Sequence, residues 1–279
     1  ESRKKALKPD DPEIGVSLSN VAALHAAEGD YAKAKPMLEE SLKIFEDNFG
    51  SESPTVAQGL HNLGELNRAM GDPESAEPLL KQALEIKENS LGPDDTSLAP
   101  TLNSLAGAHE AQGDYEEAEP LRKRALEIAE KEAGPEHPDT AASLNNLAEL
   151  YEKMGDPSSA APLYERSSEI SEKSLGPDHP QSVMSLRKRA GFERCQGDQT
   201  LGLKLVEEAL AANLKLLAAV VRYSSEKQRL VFQDQLNPCG LAVLLGSPRR
   251  IAEAIFRYKG SIVDSLLEER LIEEASAEE

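Results

Sequence analysis

Residues 143–156 read SLNNLAELYEKMGD, and this stretch decides the fold of the chain. Four of its apolar residues, spaced at i, i+3, i+4 and i+7, share one face of an α-helix. They are Leu144, Leu147, Ala148 and Tyr151. We expect Gly155 to end this helix, because glycine tolerates the left-handed conformation, and Asp156 to cap the next helix by accepting a backbone N–H. The stretch therefore predicts two consecutive helices joined by a tight turn.

The pattern of this stretch recurs along the chain at a constant interval of 42 residues. Glycine-aspartate pairs mark the turn within each unit: Gly29-Asp30, Gly71-Asp72, Gly113-Asp114, Gly155-Asp156 and Gly197-Asp198. A second set of glycines keeps the same interval: Gly50, Gly92, Gly134 and Gly176. A constant interval indicates one two-helix unit repeated end to end, so we predict a helical solenoid rather than a closed globule. Solenoids bind partners along extended surfaces.

Equivalent positions in successive units form columns, and two of these columns hold small residues. The first-helix column is Ala22, Gly64, Ala106, Ala148 and Ala190. The second-helix column is Ala34, Ala76, Ala118, Ala160 and Gly202. Small residues let two helices approach closely, and a leucine at such a position would overpack the contact by roughly 1–3 kcal/mol. Both columns are therefore predicted to lie at helix–helix contacts.

A proline column runs through the second helices at Pro36, Pro78, Pro120 and Pro162. A proline inside a helix removes one backbone hydrogen bond and costs roughly 3 kcal/mol. Two explanations stay open from the sequence. Either each helix begins after its proline, or each helix contains the proline and is kinked there.

The composition limits the classes of function. A formal net charge of −19 argues against a general nucleic-acid-binding or anionic-membrane surface. No apolar run approaches the roughly 20 residues of a membrane span. Cys195 and Cys239 fit neither a disulfide framework nor a metal cluster, and they favour a reducing, cytoplasmic compartment. Neither a phosphate-binding loop nor a catalytic constellation is present, so we predict no cofactor and no enzymatic activity for this chain.

The segment Ser143-Leu144-Asn145-Asn146-Leu147-Ala148, followed by Leu150-Tyr151, resembles the tetratricopeptide repeat in the 42-residue form of kinesin light chains and many bacterial proteins. The glycine and small-residue columns extend this resemblance over residues 10–215 as five units. The resemblance implies an all-α fold, a right-handed superhelical solenoid of antiparallel helix pairs with extra C-terminal helices. It also implies a protein or peptide partner in the concave groove that the first helices line.

The two ends of the chain depart from the repeat. Residues 1–9 read like the end of a preceding helix, so we expect the chain to begin inside a longer protein. Residues 216–279 are predicted to form capping or linker helices. Within them, residues 223–229 (YSSEKQR) and 257–266 (RYKGSIVDSL) resemble the helical segment that joins tetratricopeptide repeats to caspase-like CHAT peptidases, mostly bacterial. That second resemblance implies a peptidase domain after Glu279, with its catalytic residues outside this sequence.

Two first-helix columns are expected to face the groove. One is Ser19, His61, Asn103, Asn145 and Arg187, and the next is Asn20, Asn62, Ser104, Asn146 and Lys188. A carboxamide offers two donors and one acceptor, so a ladder of them could pair with both backbone groups of an extended peptide. We predict partner contacts at Asn20, His61, Asn62, Asn103, Asn145 and Asn146. The alternative is that these side chains join neighbouring helices or face water.

A basic cluster distinguishes the fifth unit, where residues 187–189 are Arg-Lys-Arg and Arg194 follows within two turns. A positive patch on an acidic chain could receive a carboxylate or an acidic segment. We therefore add Arg187, Lys188 and Arg194 to the predicted partner site. The alternative is internal pairing with Glu207-Glu208 in the following helix.

We predict that the chain is a protein–protein interaction scaffold and the regulatory repeat region of a larger protein. The alternative is a non-catalytic part of a caspase-like peptidase that presents substrate to it. His137 and His179 occupy equivalent linkers and are predicted to be hydrogen-bonding turn residues rather than metal ligands.

Overall fold

The computed structural model describes residues 10–223, and this part of the chain contains ten α-helices and no β-strand. The helices are α1 (Pro12–Ala27), α2 (Tyr31–Phe49), α3 (Pro54–Ala69), α4 (Pro73–Leu91), α5 (Leu98–Gln112), α6 (Tyr115–Glu132), α7 (Pro138–Met154), α8 (Pro157–Leu175), α9 (Pro180–Cys195) and α10 (Gln199–Tyr223). Odd-numbered helices are the first helices of each pair and even-numbered helices are the second. The predicted all-α fold of consecutive helix pairs is confirmed.

Glycine and aspartate form the turn within a pair, as the sequence predicts. Gly155 ends α7 in the left-handed conformation, with φ 75° and ψ 26°. Asp156 then caps α8, because its carboxylate accepts the backbone N–H of Ser159 at 3.2 Å. Asp30 and Asp72 cap α2 and α4 in the same way. The local sequence thus fixes where one helix ends and the next begins.

Histidine caps begin two of the first helices. The Nδ1 atoms of His137 and His179 accept the backbone N–H groups of Asp139 and Gln181, each at 3.2 Å. The predicted role of these histidines as hydrogen-bonding turn residues is therefore confirmed.

An exposed ion pair recurs between a lysine of a second helix and the linker that precedes the same helix pair. The pairs are Lys131 with Asp94 at 2.6 Å, Lys173 with Glu136 at 2.7 Å, and Lys215 with Asp178 at 3.4 Å. In each pair the lysine lies 37 residues after the acid. We call these contacts the linker ion pairs.

The chain divides into two compact units, Glu1–Pro135 with α1 to α6 and Glu136–Glu279 with α7 to α10. In unit 1 the helices of a pair run antiparallel. Ala22 near the end of α1 packs against Ala34 near the start of α2. Farther along α2, the Ser41 hydroxyl donates to the carbonyl of Gly15 near the start of α1, at 2.7 Å.

Both small-residue columns are buried at helix contacts, as predicted. Ala22, Ala34 and Ala76 have no exposed surface. A Cβ atom added to Gly64 would approach the Cγ atom of Leu80 to 2.7 Å, which is closer than real contacts allow. Glycine at this position therefore lets α3 and α4 pack around a buried leucine.

Unit 2 has a core in which serines accompany the apolar residues. Tyr164 of α8 packs against Phe192 of α9, with ring centroids 5.2 Å apart. The buried Ser167 hydroxyl donates to the carbonyl of Ala141 at 2.7 Å, and Ser171 shares a hydrogen bond with Ser185 at 3.1 Å. These hydroxyls are satisfied within the unit, so they cost little stability although they are buried.

The proline column lies inside the second helices, because α2, α4, α6 and α8 all begin before their prolines. The first sequence-based explanation, a helix that begins after its proline, is therefore wrong. All four prolines are exposed: Pro36, Pro78, Pro120 and Pro162. The carbonyl group four residues earlier, which loses its helical donor, also belongs to an exposed residue in each case, so water can bind it.

The last helix of the described part is longer than the other second helices. α10 has 25 residues and continues to Tyr223. Residues 1–9 and 224–279 lie outside the described residues. The predictions for a preceding helix end, for capping helices, for Cys239 and for the segment that resembles the peptidase linker fall on these residues.

Candidate functional site

In unit 1, residues of the predicted contact columns line a cavity of about 380 Å³ between α1, α2 and α3. Its polar lining includes Asn20 and Asn62 from the predicted site, together with Ser19 and Glu65. Apart from the aromatic ring of Tyr31, its apolar lining consists of small or aliphatic side chains: Ala22, Ala23, Ala26, Leu38, Leu66 and Ala69. The cavity thus places amide groups next to an apolar surface.

The two amides of this cavity have unused hydrogen-bonding capacity. Asn20 is exposed and makes no hydrogen bond within residues 10–223. The oxygen of Asn62 accepts from the amide of Gln58 at 2.8 Å, whereas its own N–H groups have no partner in the described part. A peptide backbone that enters the cavity would therefore meet free donors and a free acceptor.

The carboxylate in this cavity is already neutralised by its own helix. Burial raises the pKa of Glu65, but hydrogen bonds from Arg68 and Ser104 outweigh burial and lower the pKa below its ordinary value. The guanidinium of Arg68 donates two N–H groups to the carboxylate of Glu65, at 3.0 and 2.9 Å. A ligand in this cavity does not have to supply a cation.

Two residues of the predicted site contact the next first helix instead. The Nδ1 atom of His61 lies 3.4 Å from the hydroxyl of Thr101, and the Asn145 amide donates to the hydroxyl of Ser185 at 2.9 Å. Asn145 is only 2% exposed. For these two residues, the structure shows the joining of neighbouring helices that the sequence left open as the alternative.

A buried lysine next to His61 was missed by sequence reasoning. Lys87 is 6% exposed, and its ammonium group donates to the Thr101 hydroxyl at 2.9 Å and to the Ser97 carbonyl at 3.4 Å. Burial lowers the pKa of Lys87, and burial together with the positive charge of Lys87 lowers the pKa of His61. The signal in the sequence was a charged residue in a column otherwise held by Phe45, Ala129 and Ser171.

Asn103 belongs to a second polar network that the sequence did not reveal. The guanidinium of Arg122 donates to the oxygen of Asn103 at 2.8 Å and binds the carboxylate of Glu110 at 2.8 Å. The side chains of Arg122 and Glu110 are 12% and 5% exposed. Arg122 holds Asn103 in one orientation, which leaves the amide N–H groups of Asn103 available for a partner.

Unit 2 contains a cleft of about 550 Å³ that brings together the three basic residues of the predicted site, Arg187, Lys188 and Arg194. Its other lining residues are Glu149, Glu152, Tyr164, Gly191, Phe192, Cys195 and Gln199. The hydroxyl of Tyr164 donates to Glu152 at 2.9 Å. Burial and the nearby carboxylates raise the pKa of this phenol, so it remains a hydrogen-bond donor.

Within the part of the chain that the structure describes, no carboxylate lies within ion-pair distance of Arg187 in this cleft. Lys188 pairs with Glu149 at 2.5 Å, so that charge is compensated. The Nε atom of Arg187 is buried without a hydrogen-bond partner, and within residues 10–223 its guanidinium has no ion pair. In an acidic chain, a partly buried guanidinium of this kind is suited to a carboxylate or a carbonyl oxygen of a ligand.

Asn146 of the amide columns and Arg189 of the basic cluster differ in their contacts. Asn146 on α7 is half-buried and makes no hydrogen bond in the part of the chain that the structure describes. Arg189 pairs with Glu165 of α8 at 2.9 Å and lies 3.9 Å from Glu193 of its own helix. Internal pairing of this cluster therefore occurs, through Lys188 to α7 and through Arg189 to α8.

Neither a metal site nor a membrane-spanning helix is found among the residues that the structure describes. Among residues 10–223 no group of His, Cys, Asp and Glu side chains is arranged to hold a metal ion. Cys195 is a free, exposed thiol in the unit 2 cleft. No helix in the described part has the length and apolarity needed to cross a membrane.

The family model of the tetratricopeptide repeat matches residues 13–89 and 97–173, which together are more than half of the chain. No curated protein matches the sequence significantly. Among solved structures, the nearly identical TPR-like repeats of a kinesin light chain from Podosopora anserina share 27% identity, with a TM-score of 0.64 over 74% of this chain and 98% of that chain.

Two further structures share the fold at lower identity. BtubC (BKLC) from P. vanneervenii is 18% identical, with a TM-score of 0.61 over 88% of this chain and 92% of that chain. A Rap protein complexed with Competence and Sporulation Factor is 14% identical, with a TM-score of 0.60 over 94% of this chain and 75% of that chain. Because the repeat columns, the helix pairs and the matched family model agree, the chain belongs to the tetratricopeptide repeat family.

Proposed function

We propose that this chain is a protein-interaction scaffold whose first helices bind a peptide or protein segment. The observation that carries the proposal is the unit 2 cleft, where first-helix residues collect around the unbalanced charge of Arg187. A buried or partly buried cation is costly unless a partner compensates it, so this site gains stability when an anionic group enters.

The unit 1 cavity supports the same function by a different chemistry. Its free amide groups on Asn20 and Asn62 suit the N–H and C=O groups of an extended backbone, which any peptide provides. Its alanine-rich lining suits an aliphatic side chain. The amide contacts therefore give affinity with little dependence on sequence, whereas Arg187 selects for an acidic partner.

The structural relatives agree with this assignment. One solved relative is a Rap protein in complex with Competence and Sporulation Factor, and another belongs to a kinesin light chain. From these relatives we extend only partner binding to this chain. We do not propose that this chain binds the same partners. The exposed free thiol of Cys195 is consistent with the cytoplasmic location inferred from the sequence.

We further propose that the repeats form the regulatory region of a larger protein. Partner binding would alter an attached domain only if the partner had different affinities for two states of the whole protein. The alternative, presentation of substrate to a caspase-like peptidase, depends on residues outside the described part and stays a prediction.

Affinity capture tests the proposal directly. The 279-residue chain is immobilised, captured proteins are identified by mass spectrometry, and each captured partner is titrated against purified variants. We expect Arg187→Ala to weaken a specific partner by about tenfold, because a charge-assisted hydrogen bond contributes roughly 1.5–3 kcal/mol. Lys204→Ala is the matched control, since Lys204 is 71% exposed and does not line the cleft.

Two results would contradict the proposal. One is a partner that binds the Arg187→Ala and Asn20→Ala/Asn62→Ala variants as tightly as the unmodified chain. The other is the absence of any partner whose binding saturates. Thermal melts of each variant confirm that a lost interaction does not result from unfolding.

A further inference from the structure

An arginine stands in α6 where the other second helices have a large core residue. The column of Arg122 otherwise consists of four buried side chains: Leu38, Leu80, Tyr164 and Val206. Arg122 fills the same interior position with a charged side chain that is only 12% exposed. A buried charge is costly unless it is paired and hydrogen-bonded, so the contacts of Arg122 indicate what the arginine contributes.

Glu110 of α5 compensates the charge of Arg122. One oxygen of its carboxylate accepts from the Nε and from one terminal nitrogen of the guanidinium, at 2.9 and 2.8 Å. The same two columns are also in contact in unit 2, where the hydroxyl of Tyr164 donates to Glu152 at 2.9 Å. A polar bridge between the two helices of a pair therefore does not by itself require an arginine.

The other terminal nitrogen of Arg122 reaches a residue of the predicted groove columns. It donates to the side-chain oxygen of Asn103 at 2.8 Å. A guanidinium has donors and no acceptor, so only the oxygen of the Asn103 amide can face it, and the NH₂ group must point away from Arg122. Within residues 10–223 this NH₂ group has no hydrogen-bond partner, and Asn103 is half-buried. Asn103 is thus a donor of fixed orientation.

We propose that Arg122 is a positioning residue, which orients Asn103 so that its N–H groups donate to a backbone carbonyl of a bound peptide. The inference rests on the proposed function and names the peptide group that α5 recognises. Ser104, the next residue of α5, hydrogen-bonds to the carboxylate of Glu65, which lines the unit 1 cavity. A peptide backbone in that cavity can therefore extend to α5.

A variant that copies another helix pair of this chain tests the role of Arg122. α1 and α2 have Ala26 and Leu38 in the columns of Glu110 and Arg122, so Glu110→Ala/Arg122→Leu reproduces an arrangement that unit 1 already contains. Replacing a buried ion pair by apolar residues is often neutral or stabilising, so we expect an unchanged or higher melting temperature. Arg122→Lys is a second variant, which keeps the charge beside Glu110 but lacks the planar fork that spans both partners.

The probe is acetyl-tetraalanine-N-methylamide, whose only polar groups are backbone N–H and C=O. It is titrated into the full chain, and the side-chain amide signals of Asn20, Asn62 and Asn103 are followed by NMR. We expect the Asn103 signals to shift until the site is saturated. Both Arg122 variants should bind the probe about three- to tenfold more weakly, because the Asn103 amide must then be ordered as the peptide binds. In an Asn103→Ala background, the same changes at Arg122 should have no further effect.

Lys123→Ala is the matched control. Lys123 follows Arg122 in α6, is 51% exposed and pairs with Glu119 of its own helix, so this variant loses a positive charge but should bind like the unmodified chain. Equal affinity of the Arg122 variants and the unmodified chain would overturn the inference, as would a loss of binding that persists in the Asn103→Ala background. Weaker binding that occurs only together with a lower melting temperature would assign Arg122 a structural role and overturn it too.

The three amide signals separate this inference from the proposed function. If the signals of Asn20 and Asn62 shift and those of Asn103 do not, the positioning role of Arg122 is wrong, whereas peptide recognition in the unit 1 cavity stands. If none of the three shifts, both the inference and the proposed backbone recognition in unit 1 are wrong.

Discussion

The side chains of the column His61, Asn145 and Arg187 differ in their contacts from unit to unit. Where the next first helix supplies a hydroxyl, as Thr101 and Ser185 do, the side chain joins two helices. Where the described structure supplies no partner, as for Arg187, the side chain remains available to a ligand. We therefore propose that the residue at this position contributes to stability in one unit and to binding in another.

His61 should make unit 1 sensitive to acid. Burial and the nearby Lys87 charge lower the pKa of His61 in the folded protein below its unfolded value of 6.5. The unfolded chain then binds the proton more tightly, so stability is full above about pH 6.5 and falls as the pH drops toward the folded pKa. His61→Asn should remove this loss and keep the helix contact, since Asn145 makes that contact in its own unit.

The free energy of unfolding, measured in urea at pH 7.5 and at pH 5.0, checks this expectation. Capping carboxylates such as Asp30 and Asp72 have lowered pKa values and lose stabilisation in acid, but they do so equally in both proteins. The difference between the two pH profiles therefore isolates His61. Parallel profiles for His61→Asn and the unmodified chain would contradict it.

At the scale of single helices, equivalent linkers start their helices at different positions of the repeat. α7 and α9 begin with a histidine cap followed by proline. In the linker before α5, Thr96 replaces that proline, and α5 begins only at Leu98 without a side-chain cap. Asp95 accepts the Ser97 N–H at 2.8 Å, and the Lys87 ammonium reaches the Ser97 carbonyl. These contacts stabilise the shortened start of α5.

Replacing a proline of the proline column should stabilise its helix. Pro120 is exposed and lies inside α6, so Pro120→Ala restores an N–H donor for the carbonyl of Glu116. An interior proline costs about 3 kcal/mol, and proline returns roughly 1 kcal/mol by restricting the unfolded chain. We expect a gain of about 2 kcal/mol in the free energy of unfolding, measured by urea denaturation.

Pro73→Ala is the control for this experiment. Pro73 occupies the first position of α4, where no backbone hydrogen bond is lost. Its replacement should leave the stability unchanged or lower it. Equal gains for both variants would show that proline content, and not its position in the helix, sets the stability.

At the scale of the whole molecule, charge is the dominant long-range force. The chain has a net charge of −19, and its linker ion pairs are exposed at the surface. An exposed ion pair contributes roughly 0–1 kcal/mol, whereas the repulsion among excess acidic residues acts throughout the folded chain. The net effect of surface charge should therefore be destabilising at low salt.

Added salt should raise the melting temperature. The screening length falls from about 30 Å at 0.01 M salt to about 10 Å at 0.1 M, which weakens the repulsion between distant acidic residues. Melting curves recorded over this range in sodium chloride, with potassium chloride as the control for ion identity, measure the effect. A melting temperature that falls with salt would show that the linker ion pairs outweigh the repulsion.

Local chemistry made most of the fold predictable, because caps and turns depend on neighbours in the chain. The Gly155 and Asp156 turn, the His137 cap and the buried alanine columns all follow from short-range rules. Burial of Asn145 and the Lys87 network depends on residues 10 to 40 positions away, which spacing alone does not reveal. The grouping of the basic residues in one cleft was foreseeable from their spacing, but the lack of a counter-ion for Arg187 among residues 10–223 was not.

The proline column should affect the local opening of the second helices. In α2, α4, α6 and α8 one backbone bond is missing near the same point, shortly after the helix begins. These first turns should open to solvent more readily than the rest of each helix. Deuterium uptake by backbone amides should then show maxima at these first turns, spaced at the same 42-residue interval as the prolines.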